Sequence, residues 1–252
     1  MTFWRSWRGP ILLIAGVLIC WQLLYWLAGE MAMRSPAQTV QLAIALLSRP
    51  TMWPHIEETL KAFAIALAIA VSSGVLIGLV LGVGRFAGQI FEPMLVAMYS
   101  IPKLTLYPII LLMFGLSING KIAFGAIHGI IPIALFTINA VRNIRPILLK
   151  TGRVLNYTPL EMMWRILLPA ALPEIFTGIR IGFALTLIGT ILGEMFASQR
   201  GLGRLLMQAI GLHNIDTIMA ITFLVTVFAA IFSGTLLAID RRLQQRAYAA
   251  GV

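Results

Sequence analysis

Few side chains in this 252-residue sequence are of types that make or break bonds, and none are spaced to do so. His55, His128 and His213 are scattered without a metal-ligand pattern. The single cysteine, Cys20, lies inside an apolar run, so no disulfide framework is possible, and bulky Ile19 beside it argues against lipid attachment. No Ser/His/Asp set or pair of carboxylates points to catalysis. No G-x-x-x-x-G-K-[ST] phosphate loop occurs, so the chain is expected to bind no ATP itself and to carry no metal or cofactor. What remains is chemistry of recognition. The stretch Thr158 to Pro173 reads TPLEMMWRILLPAALP. Thr158 can cap a helix, Pro159 at the first helical position loses no hydrogen bond, and Glu161 three residues on completes a capping box. Pro169 is expected to end the helix after about nine residues, roughly 14 Å. Leu160, Met163, Trp164 and Leu167 share one face by their i, i+3, i+4, i+7 spacing. A short capped helix with an apolar face, surrounded by Arg142, Arg145, Lys150, Arg153 and Arg165, points to a knob that docks on another protein. The alternative is an amphipathic helix lying on a membrane.

Two further residues carry charge where water is scarce. Lys103 and Glu194 fall inside apolar runs, where a charge costs roughly 2.5–3.5 kcal/mol on insertion scales and needs a partner or water. Lys103 reads either as a cation beside an anion pathway or as a lysine snorkelling to the interface or paired with an acid. Glu194, near the end of its run, reads as a structural ion pair or hydrogen bond, with a place on the pathway as the alternative.

The elements that must position these groups are long and apolar. Hydrophobic residues make up 60% of the chain and charged residues only 11%, against about 25% in soluble domains. Apolar runs of 18 or more residues recur, each enough to cross about 30 Å of hydrocarbon. They predict an all-α polytopic membrane protein with about six spans, near 11–29, 62–83, 93–116, 122–140, 180–197 and 217–239, in one domain. An outer-membrane barrel would show short alternating segments instead. The first run is long and has no cleavage signature, so it reads as a retained span rather than a signal peptide. Ser73, Gly74, Gly78 and Gly82 give the second span a face of small residues that permits close helix approach. Pro102 and Pro108 should kink the third span. The loop 141–179 then holds the Thr158 motif.

The net charge of +10 reads as orientation rather than as affinity for nucleic acid. With six spans and both termini on one side, that side carries twelve lysines and arginines. The other carries six: Arg34, Arg49, Lys61, Lys121, Arg200 and Arg204. With Lys103 these account for all 19. The bias places both ends, and the Thr158 helix, in the cytoplasm.

At Ile166-Leu167-Leu168-Pro169 the chain meets a family pattern. It resembles the permease subunit of ABC importers of the nitrate/sulfonate/taurine type, whose cytoplasmic EAA signature ends Ile-x-Leu-Pro. Ala170 to Pro173, Gly178-Ile179-Arg180, Glu194 and Gly201-Leu202-Gly203 continue the likeness. Upstream, Ser35-Pro36, His55 to Thr59, Glu92-Pro93, Ile101-Pro102, Pro108 and Phe114-Gly115 match in order, so the resemblance covers about residues 35–215. The acidic signature position is Lys150, followed by Thr151-Gly152 instead of two alanines, and the glycine position is Asn156. Asn tolerates left-handed backbone geometry, so the turn should survive.

The resemblance implies a type I ABC importer permease fold. It implies a coupling helix, formed by Thr158, Leu160, Glu161, Met163, Trp164, Leu167 and Pro169, that docks on a separate ATPase, which binds the ATP and Mg. It also implies a second permease copy, an external substrate-binding protein and a small cargo, mostly an anion such as nitrate, a sulfonate or taurine, in the bacterial inner membrane. Transport would proceed by alternating access. An ion-gradient-driven carrier and a non-transporting membrane scaffold remain as alternatives.

Overall fold

One helix, Ile118–Arg142 (α6), forms the centre, and the others are arranged around it. The computed structural model describes residues 3–249 and is helical almost throughout. In chain order the remaining helices are α1 (Phe3–Ala28), α2 (Pro36–Leu47), α3 (Trp53–Val83), α4 (Arg85–Ser100), α5 (Tyr107–Phe114), α7 (Pro146–Val154), α8 (Pro159–Met162), α9 (Leu168–Ala197), α10 (Leu202–Gly211) and α11 (Ile215–Ala249). Helices α3, α6, α9 with its N-terminal extension, and α11 are each long and apolar enough to cross a membrane. The pair α4 and α5 is long and apolar enough only when its two halves are taken together across a bend of 89°, the form of a broken span or a re-entrant loop. The sixth expected span is α1, whose described apolar part, Leu12–Ala28, is shorter and largely exposed. The side chains at the outermost ends, including those of Trp4 and Trp7, lie outside the described residues.

Sequence decides why α6 is central. Helices approach closely in lipid where small residues remove the side-chain layer between backbones. Helix α3 buries Ala62, Ala66, Ala70, Gly74, Gly78 and Gly82, one every four residues, so they form a single stripe. Against it, α6 seats Ile133 on Gly74, Thr137 on Gly78 and Val141 on Gly82. On the opposite side, Gly182 and Gly189 of α9 leave room for Ile133 and His128, while Gly125 and Gly129 of α6 receive Thr190 and Thr186. Helix α6 is thus wedged between two faces that lack side chains where it has them.

Several expected boundaries move. The third span, expected as kinked, is broken: α4 stops at Ser100, Ile101 and Pro102 are extended, and a 3-10 turn at Lys103–Leu106 leads into α5. Helix α4 also begins at Arg85, ahead of the expected start of the span at 93, and carries Pro93 in its interior. The largest change concerns the 141–179 loop. Only short connections in it are non-helical, and Pro169 does not end a helix. The chain runs helically from Pro159 through Phe196. The reason is a π-helical segment, Met163–Leu167, where the Leu168 N–H reaches back five residues to the Met163 carbonyl. Widening the ladder just before Pro169 absorbs a residue that has no N–H to donate and whose ring would crowd an α-helical carbonyl.

Candidate functional site

The Thr158 end of the bundle is built by a turn and a cap. Helix α7 ends at Val154, and two residues on Asn156 takes a left-handed conformation (φ 52°) while the Tyr157 N–H bonds the Gly152 carbonyl at 3.0 Å. This is a glycine-type helix stop with asparagine in the glycine role. The chain then re-enters a helix through the expected capping box. Thr158 Oγ1 accepts from the Glu161 N–H at 3.3 Å, and Glu161 accepts from the Thr158 N–H at 3.0 Å. The Thr158 N–H and the Thr158 hydroxyl, which also donates to the carboxylate at 3.0 Å, hold the Glu161 carboxyl below the usual carboxylate range. Arg165 pairs with Glu161 at 3.8 Å and lies over the Tyr157 ring.

The four apolar residues of the motif divide. Leu160 (67% exposed) and Trp164 (61%) stand out into solvent, one turn apart. Met163 is half-buried, and Leu167 packs against the core cluster around Ala171 and Ile175. Pro169 is exposed on the helix that follows. Helix α7 adds what sequence reading left out: Ile147, Val154 and Leu155 are also exposed. The turn at Asn156 places Val154 and Leu155 next to the Thr158 cap. The periodic signal of α7 was present but masked by Arg145, Lys150 and Arg153. Gly152, where the signature has alanine, is buried beneath Met162, so a β-carbon there would lie 2.6 Å from that side chain's sulfur.

At the other end of α9, Glu194 is fully buried and its carboxylate has several partners. Its carboxylate accepts from Thr59 Oγ1 (2.8 Å), from the Gly203 N–H (3.0 Å) and from Lys121 Nζ (3.4 Å). Lys121 was expected in an outer loop. Helix α6 already starts at Ile118, so the side chain is buried (3% exposed) and also reaches Glu58 at 3.1 Å, Ser198 Oγ at 3.0 Å and the Arg200 carbonyl at 2.9 Å. Thr59 accepts from the Leu202 N–H, and His55 Nδ1 accepts from the Gly201 N–H. The first two N–H groups of α10 are therefore capped by side chains from α3 and α9. Gly201 sits at φ 128° with its α-carbon against the Glu194 carboxylate, a place that only glycine fits. This cluster ties α3, α6, α9 and α10 together at one end. At the other, Asp240 of α11 accepts from Thr177 and pairs with Arg180 of α9 at 3.3 Å.

Lys103 stands at the break between α4 and α5. It is half-buried, its ammonium hydrogen-bonded to the Tyr99 carbonyl at 3.3 Å and set 4.6 Å from the centre of the Tyr99 ring. Among the described residues no group of three or more His, Cys, Asp or Glu could hold a metal.

An all-α bundle of membrane-crossing helices, with an exposed apolar knob at one end and a broken helix inside, defines a membrane transport component. Residues 74–247 match the model of the binding-protein-dependent transport system inner membrane component. The chain belongs to that family, the permease subunits of ABC importers. It is 25% identical over 253 residues to the taurine transport system permease protein TauC of Escherichia coli (strain K12), covering 94% of this chain and 92% of that one. It is 26% identical to the putative aliphatic sulfonates transport permease protein SsuC of Bacillus subtilis (strain 168), over 81% and 75%. With the riboflavin transport system permease protein RibX of Chloroflexus aurantiacus it shares 29% over 92% and 88%. The fold matches a solved inward-facing MetNI methionine ABC transporter with a TM-score of 0.67, at 20% identity over 78% of this chain and 99% of that chain.

Proposed function

We propose that two copies of this chain pair to form the pathway of an ATP-driven importer, and that each docks one ATPase through Leu160 and Trp164, with Val154 and Leu155 extending the contact. The observation that carries the docking reading is the exposure of a large aromatic and a leucine one turn apart on a helix locked by a capping box. Buried aromatics are the residues on which interfaces concentrate their energy. Docking also explains why this apolar face is presented rather than folded inward as Leu167 is. The partner ATPase would bind ATP and Mg, since this chain has no phosphate loop. An external substrate-binding protein would deliver cargo at the Glu194 end.

The termini and the Thr158 end are cytoplasmic on this reading. Its support is the charge bias, which grows once Lys121 is removed from the outer count as a buried ion-pair member. The cargo is a small solute bearing an anionic acid group, of the sulfonate or taurine class. What supports it is the names of the relatives TauC and SsuC, together with a lysine at the helix break.

Leu160→Ala with Trp164→Ala should weaken ATPase binding about 100-fold or more, the effect of truncating two central apolar anchors. The full complex would be purified in detergent and the bound ATPase quantified, with cargo-stimulated hydrolysis measured alongside. Retention of the ATPase with unchanged stimulated hydrolysis would exclude this face as the docking site. Uptake driven by a proton or sodium gradient, with no ATPase co-purifying, would instead favour a secondary carrier.

A further inference from the structure

The charges inside this bundle do not all cancel locally, and one of those left over marks a site. Glu194 and Glu58 share Lys121, Asp240 pairs with Arg180, and Glu92 pairs with Arg142. The remaining half-buried acid, Glu174, lies fifteen residues from Gly189 along α9, roughly 22 Å. Lys103 is different. Among the described residues no carboxylate lies within ion-pair distance of it, and its ammonium meets the Tyr99 backbone carbonyl and the Tyr99 ring. A half-buried ammonium in a membrane protein requires compensation, and cations there mark substrate or ion pathways.

A second polar group shares its depth. Helices α5 and α6 are joined by only Gly115, Leu116 and Ser117 and pack as an antiparallel hairpin. The Tyr107 ring meets Phe124 edge-on at 5.0 Å, and Phe124 meets His128 at 4.6 Å. Lys103 is four residues back from Tyr107 and His128 four residues on from Phe124. In an antiparallel pair both steps lead away from the connecting turn, so they bring Lys103 and His128 to one level. The imidazole is also oriented. Its Nδ1–H donates to the Phe124 carbonyl at 2.8 Å, which leaves Nε2 as the ring's other hydrogen-bonding atom, an acceptor in the neutral form. Gly189 of α9 makes space for the ring; a β-carbon there would lie 2.8 Å from it.

We propose that Lys103 and His128 are the two ends of a cargo-recognition site at the helix break. The Lys103 ammonium is the counterion of the cargo's acid group, and His128 Nε2 accepts a hydrogen bond from a donor at the cargo's other end. The class of ligand is a short zwitterion, an aminoalkanesulfonate rather than a simple alkanesulfonate. This assignment rests on the reading that the cargo bears an anionic acid group, and it adds the second contact and the discrimination.

The test uses the detergent-purified permease–ATPase complex without binding protein, titrated calorimetrically with taurine and with ethanesulfonate, which has the acid group but no donor. Uptake of both compounds is measured in parallel, in vesicles supplied with the binding protein. Lys103→Met should weaken binding of both compounds about tenfold or more, and Lys103→Arg should stay within about threefold of the unaltered complex. His128→Phe should weaken taurine about tenfold and leave ethanesulfonate unchanged. A misfolded fraction would lower the number of sites for both compounds alike, so the difference between the two within one preparation reads the site itself. Unchanged affinity in Lys103→Met, equal losses for both compounds in His128→Phe, or no binding by a complex that does take them up, overturns this assignment while the anion reading stands. Uptake of neither compound by the unaltered complex overturns the anion reading and this assignment with it.

Discussion

Replacing Gly78 with valine should abolish accumulation of the folded protein. Gly78 is the middle of three glycines on which α6 rests. A β-carbon there would fall 2.7 Å from Thr137 Cγ2 and 2.8 Å from the Ala134 carbonyl, with Thr137 Cβ closer still. The obstacles are a β-branched side chain and a backbone oxygen, neither of which can swing aside, because Thr137 is fully buried and bonds the Ile133 carbonyl at 2.8 Å. The helices would have to separate along a line that also seats Ile133 and Val141, so the loss extends beyond one contact. Overpacking of a tight core costs about 1–3 kcal/mol where side chains can adjust. Here the backbone must move, and the cost should exceed that range. Gly78→Ala should be milder but still destabilising. Gly211→Ala, where a β-carbon meets nothing within 4 Å, is the control. Expression level and thermal midpoint in detergent read the outcome. A Gly78→Val protein with native yield and midpoint would show that α3 and α6 do not pack at this distance.

The second large effect belongs to Glu194. Glu194→Ala removes a buried carboxylate that satisfies Thr59, Lys121 and the Gly203 N–H together. Breaking a buried pair from one side costs about 3–5 kcal/mol, because the remaining groups stay out of water without partners. Glu58 retains part of the compensation of Lys121, so the lower end of that range is expected. Glu194→Gln keeps the acceptor for Gly203 and should lose about 1–2 kcal/mol. The double variant Lys121→Met with Glu194→Leu should be less destabilised than the two single changes added, since neither orphan charge then remains. Thermal midpoints of the four proteins form the cycle. Strict additivity would mean that the two side chains do not act as a pair.

The sequence made some of this visible for identifiable reasons. Long apolar runs, the Thr158 capping box and the left-handed turn at Asn156 depend on neighbours within a few residues, and all are present in the structure. The Gly74, Gly78 and Gly82 stripe was legible as a close-approach face, though not which helix would fill it. What failed depended on geometry that spacing does not carry. Pro169 signals a helix stop only if the ladder before it is α-helical, and the π segment Met163–Leu167 removes that condition. Lys121 resembles a loop charge because its partners, Glu58 and Glu194, lie 63 and 73 positions away. A usable signal existed. Glu194 near the end of one expected span and Lys121 just before the start of another fall on the same side of the expected topology, so each was a candidate for the other. His128 carried no signal, because its depth relative to Lys103 depends on the hairpin closed at Gly115.

The cluster around Lys121 also has an order in time. A ribosome delivers Glu58 before Lys121, and Glu194 only 73 residues after the lysine. When α6 enters the bilayer its lysine can already meet the carboxylate of Glu58, but α9 has yet to be made. Glu58 is thus an escort available at birth, and Glu194 the partner that completes the site once the later helix arrives. A nascent chain lacking Glu58 would have to hold an uncompensated lysine through the synthesis of a further span, which makes this residue a determinant of insertion as well as of the finished bundle.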